Sequence, residues 1–223
     1  MEVINRDCTN DPEAMAELKA LGIKSLPVSV RGDDVVVGYN VEDLCKTFDI
    51  DAKIGGPMHP ENMMEMYRLV FDAIKRAVNQ LSLEQLDWIT PGRPRSLRQL
   101  LWHSFERPIL GIEAHESGEY SRDMVRRYEE LAQNYHTHEE ICAFGDRIES
   151  ELAEFLTHGE KLAKKVKSYM GPITVHELIE LALGHAFQHL RQTYHYMPTI
   201  GIEPDRPLAR EDYKEVPVPK DLF

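Results

Sequence analysis

The histidines of this sequence give its clearest indication of a reactive site. His185 and His189 stand four residues apart in the segment ALGHAFQHLRQ. In an α-helix this spacing puts both imidazoles on one face, about one turn apart. Leu178 and Ala182 share that face, so we expect it to point into a helical core. Two imidazoles placed in this way can bind one divalent metal ion if another helix supplies a third ligand.

The helix that carries this pair is predicted over Thr174–Met197. Thr174 and Glu177 have the spacing of a capping box, in which the two side chains satisfy backbone N–H groups at the helix start. At about 1.5 Å per residue, such a helix is roughly 36 Å long. The candidate for the third ligand is His103, in the segment LRQLLWHSFERP. It lies one turn from Leu100, on or beside the apolar stripe of its own predicted helix.

The chain after residue 50 is predicted to be a linker, a four-helix bundle and a tail. Residues 51–61 contain two glycines and two prolines and are assigned to the linker. Residues 62–197 carry four long amphipathic segments separated by polar connections, the pattern of a four-helix bundle. Residues 198–223 contain five prolines and are predicted to form an extended strap across the bundle. The predicted caps of the four helices are Asn62, Ser96, Thr137 and Thr174.

Several details of the bundle are also predicted. Pro108 is expected to kink or break the second helix near Arg107, because proline lacks an N–H and clashes with the preceding turn. Residues 118–135 read as polar and irregular, with one helical turn in MVRRYEELA. The third helix is expected to run through HEEICAFGDRIESELAEFLTHGEKLAKKV, whose acidic start and basic end suit the helix dipole.

Residues 1–50 are predicted to form a small α/β unit. EVIN indicates a first strand, and Asp11–Leu21 a helix that Gly22 ends. SLPVSV and DDVVVGYN indicate two further strands, and Val41–Phe48 a closing helix. This order resembles the C-terminal part of a glutaredoxin-like thioredoxin fold. The resemblance is carried by SLP at 25–27, where that family has its cis-proline loop, and by VGYN at 37–40 leading into EDL at 42–44.

The glutaredoxin resemblance implies a docking surface for the backbone and carboxylate of glutathione. A helix N-terminus is an anion site on physical grounds as well. The family's first strand and helix, with the C-x-x-C or C-x-x-S nucleophile, are absent, so dithiol oxidoreductase activity is not expected. The alternative is a truncated unit that serves only for packing or as a dimer surface. The residues at the docking positions are Leu26, Pro27, Asn40, Glu42 and Asp43.

One histidine on the second predicted helix and an H-x-x-x-H pair on the last resemble the DinB/YfiT-like metal-binding bundles. The resemblance covers about residues 60–215, and its ligand positions are His103, His185 and His189. In that family three histidines bind one divalent metal and leave positions open for water or substrate. Several members are S-transferases or isomerases that use low-molecular-weight thiols. The resemblance implies a divalent metal, zinc first and nickel, iron or manganese as alternatives, with glutathione or another thiol as a further cofactor.

Three protein ligands and an open position are typical of catalytic zinc sites. A metal so held lowers the pKa of bound water or keeps a thiol as its thiolate, and either is a nucleophile near neutral pH. Glu106, one turn after His103, is the candidate general base. Arg191 is a candidate for binding a carboxylate, and Tyr194 is the third candidate catalytic residue. The alternatives are exposed helix faces for Glu106 and Arg191 and core packing for Tyr194.

The composition limits the partners. A formal net charge of −12 argues against nucleic acids and anionic membranes. No apolar run approaches the roughly 18–20 residues of a membrane span, and the start MEVINRDC is too polar for a secretory signal. Three scattered cysteines without a C-x-x-C motif indicate reduced thiols in the cytoplasm.

The sequence therefore predicts a mainly α protein, a DinB-like four-helix bundle preceded by a partial thioredoxin-like unit. Its predicted function is that of a metal-dependent S-transferase or hydrolase acting on a small electrophilic substrate. The alternative is a non-catalytic metal-binding bundle whose α/β arm mediates dimerisation or regulation. A third alternative is a redox protein that uses Cys8 or Cys45. A homodimer is expected in the first two cases.

Overall fold

A computed structural model gives the fold and describes residues 3–6, 8, 11–23, 27–38, 41–51, 56–91, 95–219 and 222, without the side chains of residues 41, 42, 128 and 129. The described chain is mainly helical, with two small sheets. It divides into two compact units. The first comprises residues 1–54 with 169–171, and the second residues 55–168 with 172–223. None of the described helices has the length and apolar character that a bilayer crossing requires.

The first unit contains two helices and one hairpin among its described residues. Helix α1 (Pro12–Ala20) begins where the carboxylate of Asp11 accepts a hydrogen bond from the N–H of Ala14, at 2.9 Å. Strands β1 (Val28–Arg31) and β2 (Asp34–Val37) pair antiparallel, and helix α2 (Val41–Phe48) follows. These elements agree with the prediction.

The predicted strand at EVIN is wrong for its described residues, 3–5, which lie outside any strand. Val3 and Ile4 are 76% and 80% exposed, so no sheet or helix of the described residues covers their apolar side chains. Without a neighbouring strand, an extended segment cannot pair its backbone N–H and C=O groups. The alternation of this short segment is therefore not sufficient to form a strand.

The second unit is built around four long helices, α3, α5, α7 and α9, which pack against one another. Helix α5 packs most extensively against α9 and also against α7, whereas α3 packs against α7 and α9. In chain order the elements of this unit are α3 (Pro60–Gln80), α4 (Leu83–Leu86), α5 (Leu97–Ser117), β3 (Glu119–Tyr120), α6 (Arg122–Leu131), α7 (His138–Leu156), α8 (Gly159–Leu162), β4 (Lys165–Ser168), β5 (Ile173–Thr174) and α9 (Val175–Tyr196).

Aromatic side chains form the centre of the core between these helices. The ring of Phe71 lies edge-on to Tyr67 and to Phe105, with centroid distances of 5.5 and 4.9 Å. All three are fully buried. The hydroxyl of Tyr67 donates to the carbonyl of Ile179 on α9 at 2.6 Å, so its one polar atom is satisfied inside the core.

The predicted helix starts are right for three of the four long helices. Ser96, Thr137 and Thr174 each cap a helix and each form a complete capping box. The predicted cap Asn62 is wrong, because α3 begins at Pro60 and its cap is His59. Proline suits the first helical turn, where its missing N–H would have no partner in any case.

Helix α5 continues through Pro108, so the predicted break near Arg107 is wrong, whereas the predicted kink stays a prediction. An interior proline costs about 3 kcal/mol through its lost hydrogen bond and its clash with the preceding turn. Phe105, Ile109 and Leu110, on both sides of it, are buried, and their packing against the neighbouring helices outweighs this cost. The helix therefore keeps one buried face from Leu97 to Ala114.

Two further segments differ from prediction. Helix α6 is longer than the single turn expected in MVRRYEELA. The third long helix, α7, ends at Leu156 instead of continuing to residue 166. Strand β4 takes up the end of that segment, because Val166 is buried between exposed Lys165 and Lys167, an alternation that fits a sheet. β4 pairs in parallel with β3 and antiparallel with β5.

The tail after α9 returns along that helix. It contains two short 3₁₀ turns, Met197–Ile200 and Arg210–Tyr213. The carbonyl of Pro217 lies directly over Gly184, where any Cβ would collide with it. The carbonyl of Leu222 accepts hydrogen bonds from the side-chain amides of two glutamines of α9, Gln188 and Gln192, at 2.8 Å each.

Candidate metal centre

Three histidines meet where α5 packs against α9. One ring nitrogen of His103, one of His185 and one of His189 all lie within 4.8 Å of one another. The Nε2 atoms of His103 and His185 are 3.2 Å apart, and the rings of His185 and His189 have centroids 4.1 Å apart. The three side chains therefore lie close enough to hold one metal ion.

The charge state of the three imidazoles suits metal binding. His103 and His189 are 5% and 4% exposed, and His185 is half-buried. Burial is the main cause that lowers the pKa of each imidazole well below its ordinary value. The guanidinium groups of Arg95 and Arg107 lower these pKa values further. All three rings are therefore neutral at pH 7, and neutral imidazole is the form that coordinates a metal.

An unpaired nitrogen tests whether a metal fits this cluster. The Nδ1 of His189 lies 2.7 Å from the amide oxygen Oε1 of Gln192, which can only accept, so Nδ1 carries the proton. Nε2 of His189 then has a lone pair, and it is buried with no hydrogen-bond partner in the described chain. A buried acceptor without a partner is costly unless a ligand binds it. The donor set and this orphaned atom both fit a divalent metal.

Glu106 lies behind His103, on the side of the ring away from the cluster. Its Oε2 is 3.0 Å from Nδ1 of His103, although neither carboxylate oxygen makes a well-directed hydrogen bond in the described structure. The side chain is fully buried, which excludes the exposed helix face as its location. Burial raises the pKa of Glu106 to about 8. A carboxylate in this position orients a metal-binding histidine from its far side.

The other two candidate catalytic residues lie on α9 beyond the histidine pair. Arg191 donates through Nη1 to Oε1 of Gln188 and to the carbonyl of Pro219, both at 2.7 Å, and so holds the tail to the helix. Burial raises the pKa of Tyr194, whose neighbouring charge is Arg76 of α3. Their catalytic roles stay predictions.

The predicted glutathione-docking residues belong to the first unit. The carbonyl of Pro27 accepts the N–H of Gly38 at 2.8 Å and so closes the β1–β2 hairpin. Asp43 is exposed in the first turn of α2, where its negative charge opposes the binding of an anion. Leu26 and Asn40 lie outside the described residues, as does the side chain of Glu42. Docking of glutathione here stays a prediction.

Two residues that the sequence reasoning missed contact the histidines directly. Nε of Arg107 donates to Nε2 of His103 at 3.0 Å, and Gln192 contacts His189 as described above. Both could have been found from helical spacing, because Arg107 follows His103 by four residues and Gln192 follows His189 by three.

The candidate metal cluster does not line the groove described in the second unit. A groove of about 500 Å³ in the second unit lies beside the start of α5, between Asp87, Arg98 and His136, and none of the three histidines lines it. His185 is the most exposed of the three histidines.

No protein-family model matches this chain, and no curated protein matches its sequence. The chemistry of the cluster is therefore inferred from its own geometry.

We predict that Gln192→Ala weakens zinc binding. The amide of Gln192 fixes the tautomer and direction of His189, and losing such a partner typically costs about 10–100-fold in metal affinity. Competition with a chelating dye measures the zinc dissociation constant. Gln133→Ala, at an exposed glutamine of the same unit, is the control and should leave the constant unchanged. Equal affinities for Gln192→Ala and the control would show that Gln192 does not orient the ligand.

We also predict that Glu106 sets a pH dependence of stability in the metal-free protein. Its pKa is about 8 when folded against 4.5 ordinarily, so the folded state holds a proton that the unfolded state releases. The contribution of Glu106 to the free energy of unfolding is therefore fully present below pH 4.5 and is lost as the pH rises through 8. In urea unfolding with chelator, the stability of wild type relative to Glu106→Gln should fall between pH 5 and pH 8.5 by an amount on the order of a few kcal/mol.

The exposed residue Glu116, on the same helix, supplies the control Glu116→Gln. The three histidines destabilise the fold below their ordinary pKa in every variant, so the difference between variants isolates the carboxyl group of Glu106. The same pH slope in wild type and Glu106→Gln would contradict the raised pKa.

Proposed function

We propose that this chain is a metal-dependent enzyme that uses a thiol or water as nucleophile against a small electrophilic substrate. The observation that supports this most is the convergence of three neutral imidazoles, with the buried Nε2 of His189 unpaired in the described chain. His103, His185 and His189 would hold the metal. Three protein ligands leave a position open for a nucleophile, which is typical of catalytic rather than structural sites.

Zinc is the metal we propose. Imidazole nitrogen suits zinc, nickel and iron, whereas manganese prefers carboxylate and carbonyl oxygen. When bound, the metal supplies Lewis acidity, so that a thiol or a water beside it loses its proton near neutral pH.

The protein's own side chains position the ligands and the charge. Gln192 directs the ring of His189 through Nδ1, and Glu106 lies against Nδ1 of His103. Burial of both rings keeps competing water from their coordinating nitrogens. Half-buried His185 marks the side on which a substrate can enter.

Thiol transfer is the form of this reaction that we favour. The packing of four long helices, with histidines on the second and fourth, supports the resemblance to DinB/YfiT-like bundles, several of which use low-molecular-weight thiols. Glutathione is the thiol that the glutaredoxin-like segment of the first unit suggests. Hydrolysis by an activated water uses the same ligands and is the alternative reaction.

A second candidate function is a non-catalytic, metal-stabilised helical protein. The burial of His103 and His189 favours it, because a substrate has access only on the His185 side. In that case the metal would tie α5 to α9, and its removal would lower stability without loss of any turnover.

We predict that the zinc-loaded protein conjugates glutathione to an activated aryl chloride and that His185→Ala abolishes this. Loss of one of three ligands removes the metal and with it the activated thiol, so we expect a fall of about 100-fold or more in the zinc-dependent rate. Chelator should give the same loss in wild type, and added zinc should restore the rate.

His158→Ala is the matched control, since His158 is exposed and makes no side-chain cap to its helix. Absorbance of the conjugate gives the rate, and calorimetry gives glutathione binding. If wild type binds zinc yet shows neither turnover nor heat with glutathione at millimolar concentration, the thiol-transferase proposal fails. If only thermal stability then depends on zinc, the second candidate is correct.

A further inference from the structure

The side chain of Arg107 points to a binding subsite beside the candidate metal. We propose that Arg107 recognises a carboxylate on the molecule that binds at the three histidines, and so selects anionic thiols or substrates. This inference rests on the proposed metal site and names the class of molecule that the site accepts.

Arg107 is held at the cluster by its own hydrogen bonds. Nε donates to Nε2 of His103 at 3.0 Å, and Nη1 donates to the hydroxyl of Tyr120 at 3.1 Å. The side chain is 14% exposed, so the guanidinium is largely removed from water. Among the described residues, no partner accepts from Nη2. The edge of the planar guanidinium formed by Nε and Nη2 therefore has one acceptor among the described residues, Nε2 of His103.

Metal binding takes that acceptor away. Nε2 of His103 faces Nε2 of His185, whereas its Nδ1 faces Glu106, so Nε2 is the coordinating atom. Its one lone pair cannot both bind a metal and accept from Arg107. Oε2 of Glu106 is 3.9 Å from Nε of Arg107, which is beyond hydrogen-bond distance. With a metal bound, Nε would have no acceptor in the described chain. Nη2 has none there either and is not among the buried unpaired atoms, so both donors would be open to a ligand.

A carboxylate satisfies these donors best. Its two oxygens match the Nε and Nη2 fork in a bidentate pair, whereas a neutral group offers one weak acceptor at most. The local charge agrees with this choice although the chain as a whole is acidic, at −12. Arg95 and Arg107 both act on the three histidines, and a divalent metal adds two further positive charges. An anionic ligand reduces this excess of positive charge.

The geometry also distinguishes Arg107 from the arginine that sequence reasoning selected. Nη1 of Arg191 donates to the side chain of Gln188 on α9 and to the carbonyl of Pro219 in the tail. Arg107 contacts a proposed metal ligand directly. We therefore assign recognition of the carboxylate to Arg107.

The test uses three probes that separate the carboxylate from the thiol. Mercaptoacetate carries both groups, 2-mercaptoethanol carries only the thiol, and propionate carries only the carboxylate. Calorimetry of the zinc-loaded full chain gives the dissociation constant of each probe for wild type, Arg107→Gln and Arg107→Lys. The control is Arg126→Gln, an exposed arginine of α6. Zinc content is measured for every variant, so binding of the metal is read independently of the probes.

We expect Arg107→Gln to weaken mercaptoacetate by about 10–100-fold, since a hydrogen-bonded charge pair is lost, and 2-mercaptoethanol by less than about threefold. Arg107→Lys keeps the charge without the fork and should weaken mercaptoacetate less. Should Arg107→Gln not retain zinc, the comparison of Arg107→Lys with wild type decides by the same criterion.

The other outcomes of the calorimetry either overturn or support the carboxylate subsite at Arg107. Equal loss for mercaptoacetate and 2-mercaptoethanol, or no loss for any of the three probes, overturns the proposal and would show that Arg107 serves His103 or Glu106 instead. If no thiol binds wild type, the thiol part of the proposed function fails, and an Arg107-dependent affinity for propionate would still support the subsite. A loss for propionate without one for mercaptoacetate assigns the carboxylate to the electrophile and not to the thiol.

Discussion

The close packing of α5 against α9 is the constraint on which the rest of the site depends. Glycine makes this approach possible, because a Cβ at Gly111 of α5 would lie 2.8 Å from Cγ1 of Ile179 on α9. On the opposite side of α5, Gly145 of α7 receives the ring of Phe105 in the same way. With both surfaces of α5 fixed, its residue His103 meets the pair on α9 at ring-nitrogen distance. A shift of a single helical turn, about 5.4 Å, would separate them.

The same packing places polar groups where an apolar core would be more stable. Glu106 is fully buried and His103 and His189 nearly so, and each has an atom that lacks a well-formed hydrogen bond within the described structure. Unpaired buried polar atoms cost roughly 1–3 kcal/mol each. The surrounding aromatic core supplies the stability that tolerates this arrangement. A divalent ion would resolve part of the cost, by binding the free lone pairs and by favouring the charged form of Glu106.

Local patterns in the sequence predicted those parts of the fold that depend on neighbouring residues. The capping boxes at Ser96, Thr137 and Thr174 fixed three helix starts, and the four-residue spacing placed His185 and His189 on one face. The prediction failed where distant contacts decide. Helix α5 continues through Pro108 because the residues on both sides of the proline are buried against neighbouring helices. Local sequence patterns do not include such contacts.

The candidate site shows the same division. Helical spacing predicts which residues lie within reach of the cluster. It does not predict the direction in which their side chains point. Arg107 contacts His103, whereas Arg191, on the same helix as His185 and His189, contacts the tail. The burial of Glu106 likewise depends on the neighbours of α5, so spacing alone left it between an interior and an exposed position. Side-chain direction therefore decided the assignment of roles.

X-ray absorption at the zinc edge tests the central claim most directly, on zinc-reconstituted full-length protein without a histidine tag. We expect one zinc per chain with three imidazole nitrogens at about 2.0–2.1 Å and one oxygen or sulfur ligand in the fourth position. On adding mercaptoacetate, a sulfur at about 2.3 Å should appear in that position while the three imidazoles remain. A zinc environment with fewer than three imidazoles, or one unchanged by His103→Ala, would contradict the account.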